Sequence, residues 1–157
     1  MKHGWYIVLM VLVMSCGGSG DSTDNYQIDG EEKEEGTAVK ASMRVDLENK
    51  GVGPIQDLSL PEEIDEELAK TGEGLFKSNC TVCHKIESRF VGPALKGVTA
   101  RRTPEWIMNM ILNTEYMLRD DPLAKELFME FNGSPMNNVG FEEDQARAVL
   151  EYLRLQE

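Results

Sequence analysis

Apolar side chains recur at helical spacing through the second half of the chain and are sparse before it. Ile64, Leu68, Gly72, Leu75 and Phe76 fall three or four positions apart and predict an amphipathic helix between Pro61 and about Asn79. Thr103 followed by Pro104 is a helix-start signal. A threonine side chain accepts from an early backbone N–H, and proline occupies a first turn whose N–H has no intrahelical partner. The helix it opens carries Trp106, Ile107, Met110 and Ile111 on one face and is expected to end near Tyr116 to Arg119. Asp121-Pro122 repeats the signal, with Leu123, Leu127, Phe128 and Phe131 as the stripe and Asn132-Gly133 as the stop. A last helix is expected from about Glu142 to Leu155, with Ala146, Val149, Leu150 and Leu153 facing inward. No stretch alternates with period two in β-branched residues, so the domain reads as all-α.

Residues 16–60 change this picture in the other direction. They are rich in Gly, Ser, Asp and Glu, and too poor in large apolar side chains to offset the entropy of ordering. They are expected to be a flexible acidic tether, with Ile55, Leu58 and Leu60 packing as a leading edge on one domain at 61–157. The acidic run Asp29, Glu31, Glu32, Glu34 and Glu35 is read as a solvated face. A formal net charge of -12 leaves no phosphate-neutralising surface, so nucleic acid is excluded as a partner. Before the tether, Lys2 and His3 precede an apolar run from Trp5 to Met14 that is too short to span a bilayer permanently. The segment Val13-Met14-Ser15-Cys16 resembles a bacterial lipoprotein signal. That resemblance implies removal of residues 1–15, a lipid on Cys16, and an extracytoplasmic protein anchored to a membrane. The competing reading is an ordinary secretory signal with an incidental cysteine.

Candidate chemistry is concentrated in five residues, Cys80-Thr81-Val82-Cys83-His84. This C-x-x-C-H spacing is that of covalent haem attachment: two thiols three residues apart can each add across one vinyl group, and the adjacent histidine lies under the iron. A zinc site would need further cysteine or histidine ligands, and none remains once His3 leaves with the signal. A thioredoxin-like dithiol would need a β-α-β setting that the helical pattern does not offer. With His84 the only histidine left, two histidines cannot both ligate the iron, and the downstream methionines become the candidates for a sixth ligand.

Around this motif, Gly72-Glu73-Gly74-Leu75-Phe76, Val91-Gly92-Pro93-Ala94-Leu95-Lys96-Gly97-Val98 and Leu150-Glu151-Tyr152-Leu153 resemble the small single-domain class I cytochrome c family, over about Glu63 to Leu155. The resemblance implies four or five helices around one covalent haem c. It implies that the first and last helices cross where Gly74 and Phe76 meet Tyr152. It also implies that the Pro93 carbonyl accepts the His84 imidazole N–H, and that Met136, in the loop before the last helix, is the axial methionine. Met117 is the second candidate, and Pro135 before the methionine departs from the many relatives that have proline after it. Arg101, Arg102 and Trp106 are the implied donors to the haem propionates.

The resulting expectation is a one-electron carrier working between a redox donor and acceptor, not an enzyme, with His84 and Met136 on the iron. Two other readings stay open. One is a five-coordinate haem domain acting as gas sensor or peroxidase-like catalyst, and the other is a fixed subunit of a respiratory or dehydrogenase complex.

Overall fold

The structure is a computed structural model that describes residues 39–157. Five helices follow one another: α1 (Glu66–Asn79), α2 (Pro104–Leu112), α3 (Thr114–Asp120), α4 (Pro122–Glu130) and α5 (Glu143–Arg154). Among the described residues there is no strand, only one isolated bridge between Asp46 and Arg102. The all-α expectation holds, and the local start signals explain most boundaries. Thr103 accepts from the Trp106 backbone N–H at 3.1 Å, and Asp121 from that of Ala124 at 2.7 Å. The first helix begins later than its apolar stripe suggests, because Asp65 is the cap, accepting from Leu68 at 2.9 Å and leaving Ile64 outside.

The helix expected from Pro104 to about Arg119 is two helices. Asn113 leaves helical geometry (φ -136°, ψ 40°), and its side-chain amide donates to the Val52 carbonyl at 3.1 Å. An asparagine that finds a partner outside its own helix competes with helix continuation.

The terminal helices α1 and α5 form the centre of the fold. Their contact corrects the expected crossing point. Gly74 faces open space, whereas a Cβ on Gly72 would collide with the backbone carbonyl of Ala148. The two backbones therefore touch at Gly72, one helical turn before Phe76 meets the Tyr152 ring at 5.2 Å between centroids. On α5, the buried Glu151 carboxylate receives Arg147 at 2.6 Å and Arg154 at 2.7 Å. Arg154 also donates to the carbonyls of Pro61 and Glu62, fastening the chain ahead of α1 to the last helix.

The tether expected over 16–60 does not extend through its second part. Residues 39–60 form a strap across α2 and α3. Ile55 is buried, and Leu58 and Leu60 pack against the core as the sequence suggests. The rest of the strap is held by polar side chains of the helices. Asn109, fully buried in α2, accepts from the Ile55 N–H at 3.0 Å and donates to the carbonyls of Ile55 (2.7 Å) and Lys50 (2.9 Å). The Arg102 guanidinium, 4 % exposed, donates to the carbonyls of Ala41 and Arg44. Gly51 and Gly53 lie so close to the helices that a Cβ would meet Met117 at 2.7 Å and compete with the Asn109 side chain for its space. Residues without apolar bulk thus order through backbone groups that find buried partners. The expected signal, the acidic run and Cys16 lie outside the described residues.

Candidate functional site

Cys80 terminates α1, its N–H donating to Phe76 at 2.8 Å. The chain then makes one further turn, in which Cys83 and His84 both donate to the Cys80 carbonyl, at 3.0 and 2.8 Å. This turn brings both sulfurs and the imidazole to the wall of one cavity. The other lining is almost wholly hydrocarbon, including Phe76 from α1, Ile107 and Ile111 from α2, Leu127 from α4 and Phe141 before α5. Counting its solvent-open mouth, the cavity encloses about 1430 Å³. Its lining spans α1, α2, α4, α5 and the loop before α5, the breadth a large flat ligand needs.

His84 is fixed in orientation. Its Nδ1 lies 3.1 Å from the Pro93 carbonyl oxygen. A carbonyl can only accept, so Nδ1 carries the proton and Nε2 keeps its lone pair for a metal. The other face of the ring is closed by backbone: a Cβ on Gly92 would approach the imidazole Cε1 to 2.5 Å. Gly92 is held there by its N–H to the Cys83 carbonyl at 2.9 Å. Burial lowers the tendency of His84 to protonate, and the bond to Pro93 opposes that only in part.

The Cys80 thiol is in an environment unsuited to thiolate chemistry. Burial, and then proximity to Cys83, push the Cys80 thiol up to about 11. A thiol held protonated is a poor nucleophile and a poor zinc ligand, whereas a thioether sulfur carries no charge and suits an apolar wall. Among the described residues no group of three or more His, Cys, Asp and Glu side chains gathers as a metal site. An apolar cavity with two thiols and one oriented imidazole on its wall fits a covalently attached haem.

Met136 lines the same cavity, in a loop shaped by Gly133 and Gly140, both with positive φ (70° and 69°). Met110 lines it from α2. Met117 does not line it: the side chain is fully buried beneath the strap, where its sulfur accepts the Val52 N–H at 3.0 Å. Sequence reasoning placed Met117 second because it sits near a helix end, but a sulfur committed to the strap is not available to a ligand in the cavity.

The implied propionate donors separate. Arg101 and Arg102 both reach the cavity wall, but the Arg102 terminal nitrogens are committed to the carbonyls of Ala41, Arg44 and Arg101. The expectation for Trp106 as a donor is corrected. Its indole N–H donates to Asp121 at 3.1 Å, so the ring is wall and the donor points elsewhere. Asp121 is itself buried and also accepts from Asn49 at 2.7 Å. Arg101 donates once, to the Lys96 carbonyl at 3.0 Å, and is half-buried. Asn109, and the bonds of Asp121 to Trp106 and Asn49 beyond its capping role, hold the strap and the cavity wall together and were missed in the sequence. The available signal for the first was a polar residue set inside the apolar run of α2.

Residues 69–156 match the family model described as Cytochrome c. Among curated proteins, the chain is 54 % identical over 35 residues to cytochrome c-551 of Stutzerimonas stutzeri, covering 22 % of this chain and 34 % of that one. It is 34 % identical over 62 residues to the cytochrome c-553-like protein of Synechocystis, covering 38 % and 59 %. The chain spans about a third of the length of the first of these relatives. Among solved structures, a cytochrome c from Rhodothermus marinus is 48 % identical and superimposes with a TM-score of 0.64, over 66 % of this chain and 88 % of that one.

Proposed function

The chain belongs to the cytochrome c family and carries one covalently attached haem c, and from that premise we propose that it is an extracytoplasmic one-electron carrier ligating the iron through His84 and Met136. The observation that carries this reading is the apolar cavity on which Cys80, Cys83, His84 and Met136 converge. When bound, the haem supplies a reversible one-electron couple.

The chain's own residues do the rest. Cys80 and Cys83 anchor the macrocycle at the end of α1, so its position is set by a rigid element. His84 offers Nε2, and Pro93 fixes the ring and raises its basicity by taking the Nδ1 proton in a hydrogen bond. Gly92 lets the backbone close over the imidazole without a side chain between. Phe76, Ile107 and Ile111 exclude water, which lowers the local dielectric and so tunes the couple. Met136 supplies a thioether, which favours the reduced metal more than a second imidazole would. Arg101 is the remaining implied donor to a propionate.

Met136→Ala is expected to keep the haem attached, convert the optical spectrum to high spin, and lower the reduction potential. Met117→Ala is expected to leave the ligation unchanged and to lower stability by about 2–5 kcal/mol, because it empties a fully buried site. A high-spin spectrum from Met117→Ala, with a normal one from Met136→Ala, would make Met117 the ligand and overturn the assignment to Met136.

We further propose that Cys16 carries a lipid that holds the protein on a membrane, supported by the signal-like sequence before it. The several acyl chains of such an anchor contribute about 0.8 kcal/mol per buried CH₂ and bind far more firmly than a single chain. After cell fractionation the haem protein is expected with the membranes, and Cys16→Ser is expected to move it to the soluble fraction. Wild-type haem protein in the soluble fraction without detergent contradicts the anchor. Its donor and acceptor are redox proteins, met as a mobile carrier or within a larger complex.

A further inference from the structure

The strap carries a pattern that the haem site does not use. From Ser42 to Leu47 polar and apolar residues alternate, and their orientation is the reverse of the usual one. Ser42 bonds the Glu130 carboxylate at 2.6 Å, Arg44 pairs with Glu126 at 2.8 Å, and Asp46 is bridged to the helical body by its N–H to the Arg101 carbonyl at 2.9 Å. These three are half-buried. Met43, Val45 and Leu47, set between and after them, are 62, 60 and 56 % exposed, and Val39 at the start of the strap is as open as Met43.

In a segment laid over a core, burial ordinarily takes the apolar positions of such an alternation and leaves the polar ones in water. Apolar side chains exposed singly are common. A row of them on one side of one short segment marks a surface that meets another apolar phase.

Two observations select that phase. The first is position: the row opens the described residues, directly after the chain that leads to Cys16. The 22 residues 17–38 cannot hold Val39 more than about 80 Å from that cysteine, at about 3.4 Å per residue. A bilayer holding Cys16 is therefore presented to the row at an effective concentration on the order of millimolar. The second is charge. Residues 39–45 include Lys40 and Arg44 and no carboxylate, in a chain whose net charge is -12, so this segment brings cations to a headgroup layer.

We infer that Val39, Met43, Val45 and Leu47 form a second membrane contact, docking the strap on the headgroup and acyl boundary of the bilayer that holds the lipid on Cys16. The inference rests on the lipid anchor proposed above and adds to it a contact made by the folded domain itself. At millimolar effective concentration, a contact as weak as about 0.1 mM is occupied about nine-tenths of the time. Four apolar side chains are enough for a contact of that strength and too few to hold the domain without the anchor. Ser42, next to Met43, also lines the haem cavity. The docked row thus fixes how far the haem site stands from the bilayer, where a membrane-bound redox protein is met.

The test uses the full lipidated holoprotein, reconstituted into vesicles of phosphatidylethanolamine and phosphatidylglycerol at a density that leaves proteins isolated from one another. Met43 is the reporter: a limiting water-soluble oxidant converts an exposed methionine to its sulfoxide, read by mass spectrometry. V45T/L47Q keeps the reporter and removes the apolar side chains after it. Both replaced side chains are exposed, so haem content and thermal midpoint are expected to stay as in the wild type. Met43 is expected to oxidise about tenfold more slowly in the wild type than in V45T/L47Q. L155Q, which alters an exposed leucine at the end of α5, should keep the wild-type rate. Equal rates in the wild type and V45T/L47Q, with both floating with the vesicles, overturn the docking face and leave the anchor standing. Protection that appears only when the proteins are crowded on a vesicle assigns the row to a second copy of this chain and also overturns it. Wild-type protein that does not float with the vesicles overturns the anchor, and the docking face falls with it.

Discussion

With Cys80 and Cys83 both replaced by serine, the protein is expected to show no covalent haem after denaturing electrophoresis and to lose its cooperative unfolding transition. The two cysteines lie on the wall of the cavity around which α1, α2, α4 and α5 are arranged. Without its ligand that volume is lined by Phe76, Ile107, Ile111 and Leu127 and faces water. Large cavities in an apolar core cost roughly 24 cal/mol per Å³ even when part of the volume collapses. For a domain whose total stability is on the order of 5–15 kcal/mol, that is enough to leave a compact, loosely packed state. Far-UV circular dichroism with some helix, absent near-UV signal and dye binding are the expected observations. A double variant that still stains for haem would refute the covalent assignment, and one with a sharp thermal transition would refute the structural role of the cofactor.

Removing the strap is expected to be nearly as damaging, although it lies mostly outside the segment shared with the family. A chain beginning at Pro54 leaves the Arg102 guanidinium without the carbonyls of Ala41 and Arg44, and Asn109 without that of Lys50. Each lost hydrogen bond of the guanidinium contributes about 1.5–3 kcal/mol and each lost amide bond about 0.5–1.5 kcal/mol, besides the apolar surface that the strap covers. The thermal midpoint of the holoprotein should fall by well over ten degrees, at about 4 °C or more per kcal/mol for a domain of this size. A chain beginning at Val39, which keeps every strap bond named above, is the control. If the chain beginning at Pro54 melts at the same temperature, the strap has no structural weight.

This strap also shows what a sequence makes visible and what it hides. The helices were legible because burying a stripe leaves a mark every three or four residues, and Thr103-Pro104 and Asp121-Pro122 announce their own starts. The attachment motif was legible because its chemistry is contiguous. The strap leaves no such mark. Its order comes from backbone carbonyls and N–H groups, identical in every residue, meeting Arg102, Asn109 and Asn113 from fifty or more positions away. The same reason hid the division of α2 from α3, since Asn113 turns out of the helix toward Val52. Trp106 was misjudged because its position on the wall was readable but the direction of its N–H depends on Asp121. For α1 and α5, choosing between Gly72 and Gly74 required the register of the crossing, which either glycine satisfies on paper.

The contact between Gly72 and Ala148 joins residues 76 positions apart, and it leaves no room for a side chain between the helices at the two ends of the domain. Such a closure cannot form until nearly the whole chain exists, and contacts of long sequence separation are slow to nucleate. Until α5 docks, Cys80 and Cys83 face only part of their wall, because Val149 and Leu153 of α5 line the same cavity. Closing the ends of the domain and completing the cofactor's enclosure are therefore one event in this topology.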